Sequence, residues 1–274
     1  TRFKCDWSSD VCSSDLIAAG STNGSYGITQ GTLAASANYA LTFVGGTLSV
    51  GSRAITIKAD DLTRIYGEGN PDLTYTITAG SLANGDSLTG LLATTAMATS
   101  DVGTYAITQG TLTVPNYNIT FVGGTLTVAR RAITVTAEST DKTYGDANPT
   151  LRYDITAGTL VNGDRLTGLL DTPVSALSGV GSYAITQGSL AASGNYALNF
   201  VAGQLRVVPR AITVTADNLD RAYGDANPDL TYRVTSGSLM AGDQLTGALA
   251  TTASANSGVG SYAITQGTLA ASAN

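Results

Sequence analysis

The chain contains a sequence unit that recurs about every 78 residues, and this repetition constrains its fold more than any other feature. The string RAIT begins at Arg53, Arg131 and Arg210, which are 78 and 79 residues apart. Between these copies, YG-acid-x-NP, NGD (AGD in the last copy), YxITQG and NYxxxFxxGxL return in a fixed order. Such tandem duplication predicts an array of small domains instead of one large domain.

The repeated strings predict the domain boundaries. We expect residues 17–52 to be the C-terminal half of one repeat, 53–130 and 131–209 to be complete repeats, and 210–274 to be a repeat that lacks its last hairpin. Because one copy runs into the next with almost no linker, the sequence predicts an elongated rod with little hinge freedom.

The first sixteen residues do not fit the repeat. Residues 1–16 hold both cysteines and the only tryptophan. Residues 6–16 resemble a translated short-read sequencing adapter, and we interpret the stretch as non-native. A signal peptide is the alternative, but the stretch has three aspartates and no continuous apolar segment. The chain stops inside ITQGTLAASAN, a string that also occurs at 28–38, so we expect further copies in the parent protein.

Within each repeat, apolar and polar residues alternate with a period of two. In LRYDITAG, for example, Leu151, Tyr153 and Ile155 face one way, whereas Arg152 and Asp154 face the other. This alternation, rich in Thr, Val, Ile and Tyr, is typical of half-buried antiparallel strands. About six strands per repeat predict an all-β fold of small, antiparallel, sandwich-like domains.

Two local features refine this prediction. Gly45 with Gly46, and Gly123 with Gly124, each separate two alternating runs and predict a tight hairpin turn. The string NGDSLTGLL permits a short helical turn with Asp86 as its N-cap.

Composition excludes several functions. Net charge is −6 and no basic patch is present, so nucleic-acid binding is not expected. No run of eighteen apolar residues occurs, which argues against membrane insertion of this segment. Histidine is absent, and only Lys58 and Lys142 supply lysines after residue 17. Without a histidine or cysteine nucleophile system, and with no serine recurring beside a lysine, the sequence predicts no enzyme activity.

The YG-acid-x-NP loops concentrate oxygen-bearing side chains. Calcium takes about six to eight oxygen ligands, so these loops are calcium candidates that would stiffen the domain junctions. Their spacing is not that of a calcium loop, and Gly, Asp, Asn and Pro are also what a tight turn requires, so we prefer the turn interpretation and expect no cofactor. The candidate calcium ligands are Glu68, Asp72, Asp146, Asn148, Asp225 and Asp229.

The recurring tyrosines allow a second alternative, a sugar-stacking surface. Most of them fall on the inward face of the alternation beside Leu, Ile and Phe. A core tyrosine with its hydroxyl at the rim is therefore our preferred interpretation.

In their order, RAIT, YGDANP, NGD-x-LTG, YAITQG and NYxxxFxxGxL resemble the glycine-rich, mostly-β MBG/YDG-type repeats of large bacterial surface proteins. Among these are filamentous-haemagglutinin-like adhesins exported by two-partner secretion. The resemblance covers 17–274 and implies an extracellular, cell-surface location. It also implies a stalk that holds a distal binding region away from the cell. Implied partners are neighbouring repeats and, through a domain outside this chain, a host glycan or protein. Repeated weak glycan- or host-protein-binding modules are the alternative.

Overall fold

The computed structural model describes residues 20–240 and 242–272. These residues form strands and turns without any helix, so none of them belongs to a helix able to cross a membrane. The predicted non-native segment 1–16 lies outside the described residues. The chain divides into two compact units, Thr1–Arg130 and Arg131–Asn274. The all-β tandem architecture predicted from the repeats is confirmed.

The first unit contains nine strands within its described part. Strands β1 and β2 pair antiparallel before the first complete repeat, and β3 to β9 form that repeat. Their bounds are β1 Gly24–Ile28, β2 Gly46–Val50, β3 Arg53–Ala59, β4 Leu62–Ile65, β5 Tyr75–Ala79, β6 Ala93–Thr94, β7 Gly103–Thr108, β8 Tyr117–Val122 and β9 Gly124–Ala129.

Two mixed sheets build the first complete repeat. Their strand orders are β5-β3-β8 and β4-β9-β7-β6. Strands β5, β7 and β6 pair antiparallel with their neighbours, whereas β3 with β8 and β4 with β9 run parallel. The predicted antiparallel pairing is therefore wrong for these two pairs. Alternation alone did not reveal this, because it reports which face is buried and not the direction of the neighbouring strand.

The segment around Gly123 and Gly124 is not a hairpin, which corrects the sequence prediction. Strands β8 and β9 lie in different sheets, so the chain crosses from one sheet to the other at this point. Strands β3 and β4 also lie in different sheets, so the chain crosses between the sheets there as well. The two crossings lie against each other, since a Cβ on Gly124 would sit 2.7 Å from the carbonyl oxygens of Ala59 and Asp60. Glycine is required here by close backbone approach instead of by a turn.

The second unit contains ten strands within its described part. Its complete repeat has sheets β12-β10-β14 and β11-β15-β13, again with β10–β14 and β11–β15 parallel. In the described part of the last repeat, β16 pairs with β17 and β18 with β19. The bounds are β10 Arg131–Ala137, β11 Thr140–Thr143, β12 Tyr153–Ala157, β13 Gly181–Ile185, β14 Tyr196–Val201, β15 Gly203–Val208, β16 Thr213–Ala216, β17 Tyr232–Ser236, β18 Ala250–Thr251 and β19 Ile264–Thr265.

Each complete repeat has its core between its two sheets. In the first, Ile55 and Ile57 of β3 meet Ile107 of β7 and Leu126 of β9, and all four are buried. Full burial of one such side chain stabilises the fold by about 1.5–3 kcal/mol. The alternation thus identified the inward faces of β3 and β9, whereas in LRYDITAG it placed Ile155 inward and the structure leaves that side chain 37% exposed.

The NGD string forms a turn and not the predicted helical turn. Asn84 and Gly85 have φ values of 55° and 75°, which lie in the left-handed region and stop a right-handed helix. The amide of Asp86 donates to the carbonyl of Ala83 at 2.8 Å. The Asp86 carboxylate does not cap a helix; it accepts a hydrogen bond from the Tyr117 hydroxyl at 2.8 Å.

Candidate functional site

Each YG loop, defined as residues 66–71, 144–149 and 223–228, encloses a basic side chain of the same chain. The basic residue stands two positions before the tyrosine in all three copies: Arg64, Lys142 and Arg221. Arg64 and Lys142 are the buried charged residues of the complete repeats. Strand alternation explains this, since a residue two before a buried tyrosine points to the same side.

Lys142 on β11 shows how the middle loop is held. Its Nζ donates to the carbonyl of Asp146 at 2.9 Å, to Oδ1 of Asn148 at 3.1 Å and to the carbonyl of Ser175 at 2.6 Å. The Asn148 amide then donates to the carbonyl of Val174 at 2.5 Å. The ammonium and the asparagine together fasten the YG loop to a segment about thirty residues further along the chain.

The arginine copies repeat this arrangement. In the first complete repeat, Arg64 Nε donates to Asn70 Oδ1 at 2.8 Å, its Nη2 donates to the carbonyl of Met97, and Asn70 donates to the carbonyl of Ala96 at 2.6 Å. In the last repeat the same three bonds join Arg221, Asn227, Ser254 and Ala253. Lysine and arginine are therefore alternative donors at one structural position.

These contacts account for a buried charge without a carboxylate beside it. A buried cation is costly unless its donors are satisfied. For Lys142 the acceptors are carbonyl and amide oxygens, which carry partial negative charge. This position was not predicted from the sequence. A basic residue recurring on the inward face in three copies was the available signal.

The six calcium candidates are not brought together in the described part of the chain, where no group of three or more acidic, cysteine or histidine side chains is placed to hold a metal. Asn148 Oδ1 faces the Lys142 ammonium, a fixed positive charge that would repel a metal ion. The Asp146 carboxylate accepts from Arg210. The side chains of Glu68, Asp72, Asp225 and Asp229 are exposed. Calcium binding stays the less favoured alternative to the turn interpretation, and both stay predictions.

Neighbouring repeats contact each other inside the second unit. Arg210, the first residue of the last repeat, donates from Nε to the carbonyl of Tyr144 at 2.7 Å and forms an ion pair with Asp146. Met240 of the last repeat packs against the core cluster that contains Tyr144. In the first unit, the amide of Asn23 donates to Oδ1 of Asn116 at 3.1 Å.

A carboxylate joins the two chain crossings of the first complete repeat. Asp61 accepts from Oγ1 of Thr125 at 2.8 Å and from its amide at 2.7 Å. These hydrogen bonds, the side-chain one first, hold the pKa of Asp61 below its ordinary value because they stabilise the ionised form. In the second complete repeat, Ser139 Oγ accepts from the amide of Gln204 at 3.0 Å instead.

Several recurring tyrosines donate a hydrogen bond from the hydroxyl to a carbonyl or carboxylate oxygen of the same chain. Tyr105 donates to the carbonyl of Asp101 and Tyr183 to that of Gly179, both at 2.8 Å, four residues back along the chain. Tyr196 holds the second NGD turn through the Asp164 carboxylate at 2.8 Å. The sugar-stacking alternative therefore lacks free hydroxyls at these positions, although aromatic faces remain.

Comparison with protein families gives one match, which recurs along the chain. The model described as MBG domain (YGX type) matches residues 8–49, 55–127, 133–206 and 212–274. The first range begins inside the segment 1–16, which we interpreted from the sequence as non-native. No curated protein and no solved structure matches the chain. Since the matches cover most of its length, the chain belongs to the family of MBG domains of the YGX type.

Proposed function

We propose that this chain is a stalk segment of a secreted or cell-surface bacterial adhesin, which holds a distal binding region away from the cell. Its MBG repeats are those of an adhesin-like repeat protein. In this role the repeats supply length and stiffness, and a different domain supplies the specificity.

The direct junction between repeats is the observation that carries this proposal. Strand β15 ends at Val208, and the side chain of Arg210 already binds the preceding repeat at Tyr144 and Asp146. A junction of so few residues, bonded by a side chain, leaves little freedom for hinge motion. Restricted hinges are what a spacer requires.

The chemistry of the YG loops also supports a structural role. Lys142 Nζ donates to the carbonyls of Asp146 and Ser175 and to Oδ1 of Asn148, so it serves to hold the loop in place. The basic residue closes the loop from inside, which leaves the loop oxygens already occupied.

Small-angle X-ray scattering of the 274-residue chain tests the proposal. A compact chain of this length has a radius of gyration of about 19 Å. We expect a clearly larger value with the profile of a rod. A variant with a short Gly-Ser insertion after Pro209 is the control, and its profile should show added flexibility. A radius near the compact value, or an insertion without effect, would contradict a stiff spacer.

The alternative function is tested separately. A glycan array probed with the same chain should give no saturable binding. Reproducible binding that is lost when one exposed loop is changed would favour the multivalent binding module over the spacer.

A further inference from the structure

The YG loop 144–149 has two sets of contacts with different partners. From inside, Lys142 fastens the loop to its own repeat. From outside, Arg210 of the next repeat donates to the Tyr144 carbonyl at 2.7 Å and forms an ion pair with Asp146. Both repeats of this junction belong to the second compact unit. The tripeptide Tyr-Gly-Asp at the start of the loop is therefore a surface that receives a neighbouring repeat.

The glycine of this tripeptide, Gly145, lies against a methionine of the neighbour. A Cβ added to Gly145 would lie 2.6 Å from Cγ and 2.7 Å from Cε of Met240, well inside the distance of about 3.5–4.0 Å at which carbon atoms normally touch. The half-buried Met240 also packs against the core cluster that contains Tyr144 and Leu205. The bare backbone of Gly145 thus leaves room for the thioether, and Met240 extends the core of one repeat into the next.

Met240 holds the first position of a turn that recurs in three repeats. The amide of Asp243 donates to the Met240 carbonyl at 3.0 Å, and the corresponding bonds end on the carbonyl of Val161 at 3.0 Å and of Ala83 at 2.8 Å. The turn is therefore closed in the same way each time, whereas the side chain at its first position is alanine, valine or methionine. Side-chain size varies here at a fixed place on the backbone.

We propose that the first residue of this turn is the docking residue of a repeat, and that its size sets how tightly the repeat joins the YG loop of the repeat before it. At the junction of 131–209 with the next repeat, the long Met240 side chain covers Gly145 and adds apolar contact to the polar bonds of Arg210. Valine or alanine in its place leaves part of Gly145 uncovered, so the junction loses packing and becomes looser.

The polar and the apolar contacts of the junction have different effects. Arg210 stands first in its repeat, so its bonds to the YG loop fix where the two repeats meet. Because Asp146 is half exposed, the ion pair contributes little to stability, and the packing of Met240 determines how firmly the repeats are joined. The use of this variation rests on the proposed stalk function, in which junctions of unequal stiffness let some joints bend before others.

Pulsed electron paramagnetic resonance on the full chain tests this inference. In a Cys5→Ser, Cys12→Ser background, nitroxide labels at Thr156→Cys and Thr235→Cys report the distance between equivalent, exposed positions of β12 and β17. We expect Met240→Ala to widen the distance distribution about twofold and Met240→Val to widen it less, because each removes packing from the junction.

The second methionine of the chain provides the matched control. Met97 is 69% exposed and lies in another repeat, so Met97→Ala should leave the distance distribution unchanged. An unchanged width in Met240→Ala, or an equal change in Met97→Ala, would overturn the inference.

A substitution at Gly145 identifies the contact itself. Gly145→Ala strains the backbone in any background, because φ is 87° there, but it collides with the thioether only when Met240 is present. We expect Gly145→Ala to widen the distribution in the natural chain and to add no further widening in the Met240→Ala chain. Equal widening in both backgrounds would show that Met240 is not the partner of Gly145.

These outcomes are separate from those of the scattering experiment. A rod-like scattering profile together with no effect of Met240→Ala would overturn the docking role of Met240 and leave the stalk proposal intact.

Discussion

The complete repeat 131–209 and the last repeat 210–274 share their sequence motifs. The described part of the last repeat, however, forms fewer and shorter strands. Strand β10 runs over Arg131–Ala137, whereas its counterpart β16 covers only Thr213–Ala216. Tyr144 is buried and Tyr223 is exposed. The basic side chain follows the same trend, because Lys142 is buried and Arg221 is partly exposed.

The difference shows that the first strands of a repeat are completed by its last ones. Strand β10 has β12 on one side and β14 on the other, whereas β16 pairs with β17 alone among the described strands. Strand β11 pairs with β15 alone, and no described strand occupies the equivalent position in the last repeat. Local alternation therefore specifies which face is buried, but distant pairing decides how long each strand is and whether it forms.

Separating the two chain crossings of a complete repeat should have the largest effect on its stability. A Cβ at Gly203 would lie 2.5 Å from the carbonyl oxygen of Ala137, so Gly203→Ala forces backbone apart. We expect the second complete repeat to lose about 2–3 kcal/mol of unfolding free energy. Amide hydrogen exchange, measured separately for each repeat at increasing urea concentration, gives this loss of unfolding free energy.

Two other glycines provide controls for that substitution. Gly194 has no atom within 4 Å of its added Cβ, and Gly46, the counterpart of Gly203 in the first half repeat, meets only Ile28 at 3.5 Å. Alanine at either position should change the unfolding free energy by no more than about 0.5 kcal/mol. If Gly46→Ala is as damaging as Gly203→Ala, close approach of the crossings is not the reason for the glycine.

Removing the buried cation should have the next largest effect. Lys142→Met removes the Nζ donor from the Asn148 amide oxygen and from the Asp146 carbonyl. We expect a loss of about 2 kcal/mol in the unfolding free energy of that repeat, measured as above.

The basic residues themselves supply the comparison. Lys142→Arg should stay within about 1 kcal/mol of the natural chain, because arginine stands at this place in the other two copies. Arg221→Met should cost less than about 1 kcal/mol, since that side chain is already partly in water. Equal losses for Lys142→Met and Arg221→Met would show that burial does not set the effect.

The smallest expected effect is a difference in pH dependence between the two complete repeats. The lowered pKa of Asp61 means that its contribution to stability is complete above the ordinary value of 3.8 and is lost as the pH falls through the lowered pKa. The amide resonance of Thr125 should titrate with a midpoint below 3.8. The amide of Gln204, bound to Ser139, should not follow it. A midpoint at or above 3.8 for Thr125 would contradict this account.

Much of the fold could be predicted from the sequence, because comparing the repeats with one another shows which positions recur. The inward faces of β3 and β9 followed from alternation, whereas the helical turn with Asp86 as its N-cap was wrong. The sheet crossing at Gly124 could not be predicted, since Gly-Gly between two alternating runs fits a hairpin equally well. Only contact with Ala59, distant in sequence, separates the two possibilities.

The buried basic residue inside the YG loop could not be predicted from the acidic and amide side chains of the loop. Counting oxygen atoms near Asp146 and Asn148 allowed a calcium site as an alternative to the preferred turn, but it did not indicate a basic side chain inside the loop. The structure supplies one from within, at Lys142. Spacing between the acids and the asparagine does not show this, whereas the recurrence of a basic residue two positions before the tyrosine does.

The parallel pairing of first and last strands also determines how a repeat bears load. The chain enters a complete repeat through β10 and leaves it through β15, each held along its length by a parallel neighbour, β14 and β11. Tension applied at the two ends acts along these ladders, so the hydrogen bonds resist together in shear instead of opening one after another. A repeat closed in this way would yield to pulling only when a whole ladder breaks.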